Sequence, residues 1–206
     1  AERPRLTLSA GLGPDRVRLV LTPEKPPLPA GESGETPFRG FAMTRLSATG
    51  EIGPPGTARS VEGTAWLDHL WGELPVPGGP VAYDRLVAHL DDGSDLSLVA
   101  TRRRDGRGGI AADGVLVAPD GAARALGEDL AIEPLRHWEA PGGARYPVAW
   151  RVRGAGLELE VAPLREDQLH RFEVPLWSGL VTVEGRRDGR PVGGTGTLQL
   201  TGYADP

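Results

Sequence analysis

The sequence predicts an all-β protein whose strands form an antiparallel β-barrel. Its 206 residues include 30 glycines and 20 prolines with an apolar fraction of 39%, a composition that disfavours helices and suits short strands. Several segments alternate apolar and polar residues, as half-buried strands do. Asp-Gly turn pairs recur at 105–106, 120–121 and 188–189. We expect a meander that closes into a barrel, because closure removes exposed strand edges.

The composition and the absence of several motifs exclude whole classes of function. The chain has no cysteine, which excludes disulfides, thiolate metal sites and a cysteine nucleophile. A net charge of -5 with scattered arginines argues against nucleic acid as a partner. No apolar run is long enough for a membrane span. No phosphate loop, dinucleotide fingerprint or histidine ligand spacing is present, so we expect no cofactor and no metal. The compartment is left open, with a bacterial cytoplasmic location favoured over secretion.

The first clear strand covers residues 16–21, where Val17, Leu19 and Leu21 share one face. The stretch that follows, residues 23–37, is rich in proline, glycine and charge. Such a composition is typical of an exposed connection. We interpret it as a linker, with a lid or a rim loop as the alternatives.

The segment GTAWLDHLWG, Gly63 to Gly72, carries polar and aromatic groups on both strand faces. Alternation places Trp66 and Asp68 on one face and His69 and Trp71 on the other. Either the strand breaks its pairing at this segment, or each face meets another layer. In a structural role, Asp68 caps a turn or accepts backbone hydrogen bonds, and His69 forms a hydrogen bond with a neighbour. In a functional role, one of the two faces a ligand cavity as an acid or a base.

The clearest hairpin runs from Tyr83 to Arg102 around the turn DDGS. Matching its two apolar faces places Leu90 opposite Leu96. The same register places Asp84 opposite Arg102 on the inward face, at the end away from the turn. We therefore predict an ion pair at that end of the hairpin.

The rest of the chain contains further strands and one aromatic stretch. Residues 134–150 carry Trp138 and are interpreted as a rim where aromatic rings close the barrel. Alternating apolar residues predict strands at residues 148–152, 157–161, 176–185 and 196–203.

Several of these elements occur together in one known family. The chain resembles the two-lipocalin proteins of the AttH and carotenoid 1,2-hydratase group, to which natural-product cyclases and Diels-Alderases are also similar. The elements that carry the resemblance, in the family's order, are FAMTRLSATGEI at Phe41–Ile52, GTAWLDHLWG, LDDG at Leu90–Gly93, PLRHWEAPGGARYPVAWRV at Pro134–Val152, and LWSGLVTVEG and GTLQLTGY within Leu176–Tyr203.

The resemblance implies a lipocalin-like antiparallel β-barrel with part of a second β domain at the N-terminus. The family's N-terminal strands, with their EWWY-type motif, are missing from this sequence. We therefore expect residues 1–62, including the linker 23–37, to be the C-terminal part of a first lipocalin-like domain. Residues 63–206 are expected to form the C-terminal lipocalin-like barrel.

The chain departs from the family pattern at three places. Leu70 stands where relatives usually have glutamate, residues 82–85 replace a tryptophan-rich strand start, and residues 177–179 read WSG in place of WEG. Cyclisation tolerates these departures best, because it requires mainly that a flexible substrate be held in a reactive shape.

The resemblance implies a cofactor-independent enzyme that binds an apolar polyene, polyketide or terpenoid and promotes its cyclisation or hydration. The alternatives are a non-catalytic carrier of a hydrophobic small molecule and a purely structural domain. The expected partners are that small molecule and either a missing N-terminal lipocalin half or a second copy of the chain. The candidate residues are Asp68, His69, Asp84 and Tyr83 for catalysis, and Trp66, Trp71, Arg102, Trp138, Trp150 and Trp177 for ligand binding.

Overall fold

The computed structural model describes residues 4–30, 38–72, 81–105, 107–127 and 129–204. These residues form fifteen β-strands and no helix, so the described part of the chain has no helix that could cross a membrane. The all-β prediction is confirmed. The chain divides into two compact units, residues 1–74 and residues 75–206, and each unit contains its own antiparallel sheet.

The N-terminal unit is a five-stranded sheet centred on its longest strand. Strand β4 has 16 residues and pairs with β2, β3 and β5, while β1 pairs with β2. Leu21, Leu46 and Ala48 form the buried centre of this unit. The strands are β1 (Leu6–Leu12), β2 (Asp15–Pro23), β3 (Leu28–Ala30), β4 (Phe38–Gly53) and β5 (Arg59–Gly72).

The predicted strand at residues 16–21 lies within β2, and Val17, Leu19 and Leu21 share its more buried face as predicted. The predicted linker is partly wrong. Residues 28–30 form β3 and pair with β4, and Lys25 is buried. Residues 31–37 lie outside the described residues.

The segment GTAWLDHLWG belongs to the N-terminal sheet. It forms most of β5, and its residues pair with the part of β4 that runs from Phe38 to Ala48. One irregularity interrupts the ladder, where Met43 and Leu46 pair with residues on either side of Trp66. The structural division of the chain therefore follows Leu74, twelve residues after the boundary that the sequence predicted.

The second unit is a ten-stranded antiparallel sheet. In spatial order its main path is β10-β11-β12-β14-β15-β6-β7-β8-β9, and β13 pairs with β14. All four strands predicted after residue 103 are present. The strands are β6 (Val81–Leu90), β7 (Asp95–Arg103), β8 (Ala111–Val117), β9 (Ala123–Ala125), β10 (Ala131–Glu139), β11 (Arg145–Gly154), β12 (Leu157–Pro163), β13 (Leu169–His170), β14 (Leu176–Arg187) and β15 (Arg190–Thr201).

The second sheet curls around one hydrophobic core. Strands β11 and β15 contact each other although β12 and β14 separate them in the sheet. Alternating residues from both halves of the sheet meet inside, among them Leu86, Leu98, Trp150 and Leu198, each at most 1% exposed. Burial of these apolar side chains is the main force that holds the curled sheet together.

The register predicted for the β6–β7 hairpin is wrong by two residues. Leu90 pairs with Ser94 through a backbone hydrogen bond of 2.8 Å, and Asp84 lies opposite Ala100. The turn contains only three residues, because Gly93 adopts a φ of +82° that favours glycine. A shift of two residues preserves which face each side chain occupies, so the predicted faces are correct.

Candidate functional site

Strand β6 carries a carboxylic acid inside the core of the second unit. Asp84 is 3% exposed, because alternation places it on the same inward face as Ala82 and Leu86. Its Oδ2 atom accepts a hydrogen bond from the hydroxyl of Tyr203. Its Oδ1 atom accepts one from the backbone N–H of Thr201, at 3.1 Å. These bonds offset part of the cost of burying a polar group.

Arg102 on β7 provides the opposite charge. Its Nε atom lies 3.6 Å from Oδ2 of Asp84, so the predicted ion pair is present even though the two residues are diagonal neighbours. The Nη2 atom of Arg102 donates a hydrogen bond of 2.5 Å to the carbonyl of Thr201. Nε is buried and has no hydrogen-bond partner among the described residues. Arg102 therefore acts on Asp84 chiefly through its charge.

Tyr203 reaches Asp84 because the chain turns sharply at the end of β15. Gly202 has a φ of +68°, a conformation that side chains disfavour. A Cβ atom at that position would lie 2.7 Å from the Cβ atom of Ala82. The guanidinium carbon of Arg102 lies 3.7 Å from the ring centroid of Tyr203, within the range of a cation–π contact.

The surroundings of Asp84 change its acidity. Burial raises the pKa of Asp84 from 3.8 to about 6, and the contacts with Tyr203, Arg102 and Thr201 only partly oppose this effect. Burial and the nearby Asp84 also raise the pKa of Tyr203 above its usual value. The phenol therefore stays protonated over the whole neutral range, while the carboxyl exchanges its proton close to neutral pH.

An aromatic row extends from Tyr203 across the end of the sheet. The ring of Tyr146 lies 5.5 Å from that of Tyr203, and the ring of Trp138 lies 6.2 Å from that of Tyr146. Tyr146 is fully buried, and its hydroxyl has no hydrogen-bond partner among the described residues. An unpaired buried hydroxyl lowers the stability of the fold, and unpaired groups of this kind occur at functional sites.

A pocket of about 560 Å³ opens beside these rings, within the size range of small-molecule sites. It is bounded by the turn at residues 140–144, which joins β10 to β11, and by the segment between β13 and β14. By residue type its lining is apolar, glycine or tyrosine apart from one arginine, and polar atoms supply more than half of its exposed surface. Its lining side chains include Tyr146, Leu169, Arg171, Phe172 and Tyr203.

Four of the predicted site residues lie on β5, in the N-terminal unit. Asp68 and His69 are exposed, and Asp68 accepts a hydrogen bond of 3.0 Å from Nε1 of Trp66. The ring of His69 stacks on Phe41 and lies 5.3 Å from the ring of Trp71. These residues form two pairs on opposite faces of β5, Trp66 with Asp68 and His69 with Trp71. Asp84 and Arg102 belong to the other sheet.

The other predicted residues belong to the second unit. Tyr83 lies on the opposite face of β6 from Asp84 and contacts Thr201 through its backbone. Trp138 packs at the edge of the core, in the aromatic row. Trp150 and Trp177 are fully buried within the core, and neither is among the residues that line the described pocket.

Sequence reasoning did not single out Tyr203 or Tyr146. A Gly-Tyr pair directly after the last strand is the signal for Tyr203, because glycine permits the turn that returns the tyrosine to the core. Tyr146 follows the Gly142-Gly143 turn on an inward-facing position of β11. Among the described residues, no group of three histidine, aspartate or glutamate side chains is arranged to hold a metal ion.

Comparisons with known proteins agree on the family. The AttH-like family model matches residues 2–203. The crystal structure of an AttH protein from Nitrosomonas europaea matches 98% of this chain and 65% of its own, with 30% identity and a TM-score of 0.84. Kievitone hydratase from Nectria haematococca matches 97% of this chain and 65% of its own, with 17% identity and a TM-score of 0.77.

The chain thus spans less than two thirds of the length of either structural neighbour. No curated protein sequence matches it. The lipocalin-like fold that the sequence predicted is confirmed by both neighbours. With the family model covering nearly every residue, the chain belongs to the AttH-like family.

Proposed function

We propose that the protein protonates an alkene of an apolar substrate and adds water to the resulting cation. The observation that carries the proposal is the hydrogen bond between buried Asp84 and Tyr203, because Tyr203 also lines the pocket. Asp84 itself does not line the pocket, so its proton reaches a substrate only through the tyrosine. The hydratase among the structural neighbours supports the same class of reaction.

The resting state is a neutral carboxylic acid held beside a phenol. With Asp84 protonated, Oδ2–H donates to the oxygen of Tyr203, and the O–H of Tyr203 turns towards the pocket. A pKa of about 6 for Asp84 keeps a useful fraction of the carboxyl neutral near physiological pH. Carboxylic acids in apolar sites serve other enzymes in the same neutral form.

The first step transfers two protons together along this pair. The π electrons of the alkene take the proton of Tyr203, which forms a C–H bond and leaves a cation at the other carbon. The oxygen of Tyr203 takes the proton of Asp84 in the same step. Asp84 becomes a carboxylate beside Arg102, and the rings of Tyr146 and Tyr203 stabilise the cation.

The second step completes the hydration. Water attacks the cation to form a C–O bond, and its surplus proton returns through Tyr203 to Asp84. The sum is alkene plus water giving an alcohol, and Asp84 and Tyr203 regain their starting protons. If a second alkene of the substrate captures the cation before water does, the same first step gives a cyclised product.

The test uses three molecules that contain an alkene: kievitone, farnesol and squalene. Each is incubated with the protein in ¹⁸O-labelled water, and the products are analysed by mass spectrometry. We expect a labelled alcohol from at least one alkene, and at least a hundredfold lower rate with Asp84→Asn and with Tyr203→Phe. Asp113→Asn, an exposed aspartate on β8, is the control and should keep the wild-type rate.

Three outcomes contradict the proposal in different ways. Binding of the alkenes without any conversion would favour the carrier. A product that is an isomer of the substrate and carries no ¹⁸O would show that the reaction is cyclisation and not hydration. If Asp68→Asn, His69→Ala or Tyr83→Phe loses turnover while Asp84→Asn keeps it, the residue replaced in the inactive variant would be the acid in place of Asp84. Circular dichroism of each variant checks that the fold is intact.

A further inference from the structure

Arg171 stands out among the side chains that line the pocket. It lies between β13 and β14 and is exposed. The other lining residues are apolar, glycine or tyrosine, so Arg171 contributes the single formal charge of the described wall. Among the described residues, none forms an ion pair or a side-chain hydrogen bond with it.

The charge of Arg171 acts on Tyr146, which lines the same pocket. It lowers the pKa of Tyr146 and opposes the larger effect of burial, which raises that pKa. The guanidinium therefore favours negative charge at the buried hydroxyl that lacks a partner. A ligand oxygen that pairs with Arg171 would lie near a hydroxyl able to donate a hydrogen bond to it.

The position of Arg171 favours one class of ligand. The whole chain has a net charge of -5, so its overall field repels anions. Leu169, two residues before Arg171, and Phe172, directly after it, line the same pocket. A single cation beside these apolar side chains fits a molecule with an apolar body and one acidic group.

Resting on the proposed function, we infer that the ligand is an amphiphile whose single anionic group pairs with Arg171 while its apolar body contacts Tyr203 and Phe172. The anionic group is a carboxylate, a sulfonate or an ionised phenol, which share the acceptor oxygens that a guanidinium recognises. The arrangement also fixes the substrate's orientation, with its acidic end at Arg171 and an alkene near the hydroxyl of Tyr203.

The test compares a polyene acid with its own ester. cis-Parinaric acid is a conjugated carboxylate whose fluorescence increases in apolar sites, and its methyl ester lacks only the charge. We expect the wild-type protein to bind the acid about tenfold more tightly than the ester. Arg171→Gln should remove this preference by weakening acid binding and leave the affinity for the ester unchanged.

Two further variants make the comparison specific. Arg165→Gln removes another exposed arginine six residues away, which does not line the pocket, and should keep the preference. Tyr146→Phe should weaken acid binding about threefold and leave ester binding unchanged. Equal binding of acid and ester by the wild-type protein, a preference that survives in Arg171→Gln, or no binding of either molecule would overturn the inference.

The same experiment separates this inference from the proposed function. Asp84→Asn should bind parinaric acid with the wild-type preference even though it has lost hydration activity. A protein that prefers the acid through Arg171 but converts no alkene would contradict the hydration proposal alone. A protein that hydrates alkenes and binds acid and ester equally would contradict the inference about Arg171 alone.

Discussion

The guanidinium of Arg102 stacks over the ring of Tyr203, with 3.7 Å between the guanidinium carbon and the ring centroid. The contact restrains the tyrosine from one side, while its hydroxyl is bonded to Asp84. The cation is thus positioned to act on both members of the proposed proton relay. It lowers the pKa of the carboxyl and the pKa of the phenol.

Catalysis should depend on pH through the protonation of Asp84. The proposed first step needs the neutral carboxyl, whose pKa is about 6. We therefore expect kcat/KM for hydration to be constant at low pH and to fall tenfold per pH unit above about 6. The measurement is kcat/KM from pH 4.5 to 8.5 for any alkene that the protein hydrates. A rate that rises across this range would exclude Asp84 as the acid.

Removing the charge of Arg102 should shift this profile. Arg102 lowers the pKa of Asp84, so Arg102→Met should move the fall in kcat/KM to a higher pH. Arg103→Met is the control, because the exposed Arg103 pairs with Asp105. A profile that stays in place in Arg102→Met, or moves to lower pH, would show that the charge does not control the acid.

The free energy of unfolding should also depend on pH through the protonation of Asp84. Because the pKa of Asp84 is higher in the folded protein than in the unfolded chain, protonation stabilises the fold. This contribution is complete below about pH 3.8 and is lost as the pH rises through about 6. Relative to Asp84→Asn, the wild-type protein should gain roughly 2.4 kcal/mol in its free energy of unfolding between pH 7 and pH 4.

Urea unfolding of both proteins at the two pH values measures this difference, since the other titrating groups cancel in the comparison. A difference between the proteins that does not change with pH would mean that burial leaves the pKa of Asp84 unaltered.

The turn at Gly202 should be essential for placing Tyr203. Gly202→Ala adds a Cβ atom 2.7 Å from that of Ala82 and imposes a side chain at a φ of +68°, which costs about 1 kcal/mol or more. We expect the variant to lose most of its hydration activity and several degrees in Tm. Gly109→Ala, where a Cβ meets nothing within 4 Å, should change neither. Wild-type activity in Gly202→Ala would show that Tyr203 does not need this turn.

Much of the fold follows from local pattern in the sequence. The alternation in β2 and β12 defines strand faces, because the side-chain period of a strand is two residues. It does not define register, which in the β6–β7 hairpin depended on the conformation of Gly93. Nor does it identify a strand's partner, which is why the segment around Asp68 was assigned to the second barrel although β5 pairs with β4.

The candidate site was predictable in part for the same reason. Asp84 and Arg102 share an inward face in any register that differs by two residues. Their ion pair was therefore predicted correctly although the predicted register of the hairpin was wrong. Tyr203 lies beyond the last strand, and only the backbone turn at Gly202 returns it to Asp84. The pocket between the 140–144 turn and Arg171 depends on contacts distant in sequence, which no local pattern contains.

The ¹³C chemical shift of the Asp84 carboxyl, followed by NMR from pH 3 to 9 and assigned with Asp84→Asn, tests the central claim most directly. A buried acid that supplies protons through Tyr203 should titrate with a midpoint near 6, and Tyr203→Phe should raise that midpoint because the hydroxyl lowers the pKa of Asp84. A midpoint below about 4, the range of an ordinary aspartate, would contradict the account.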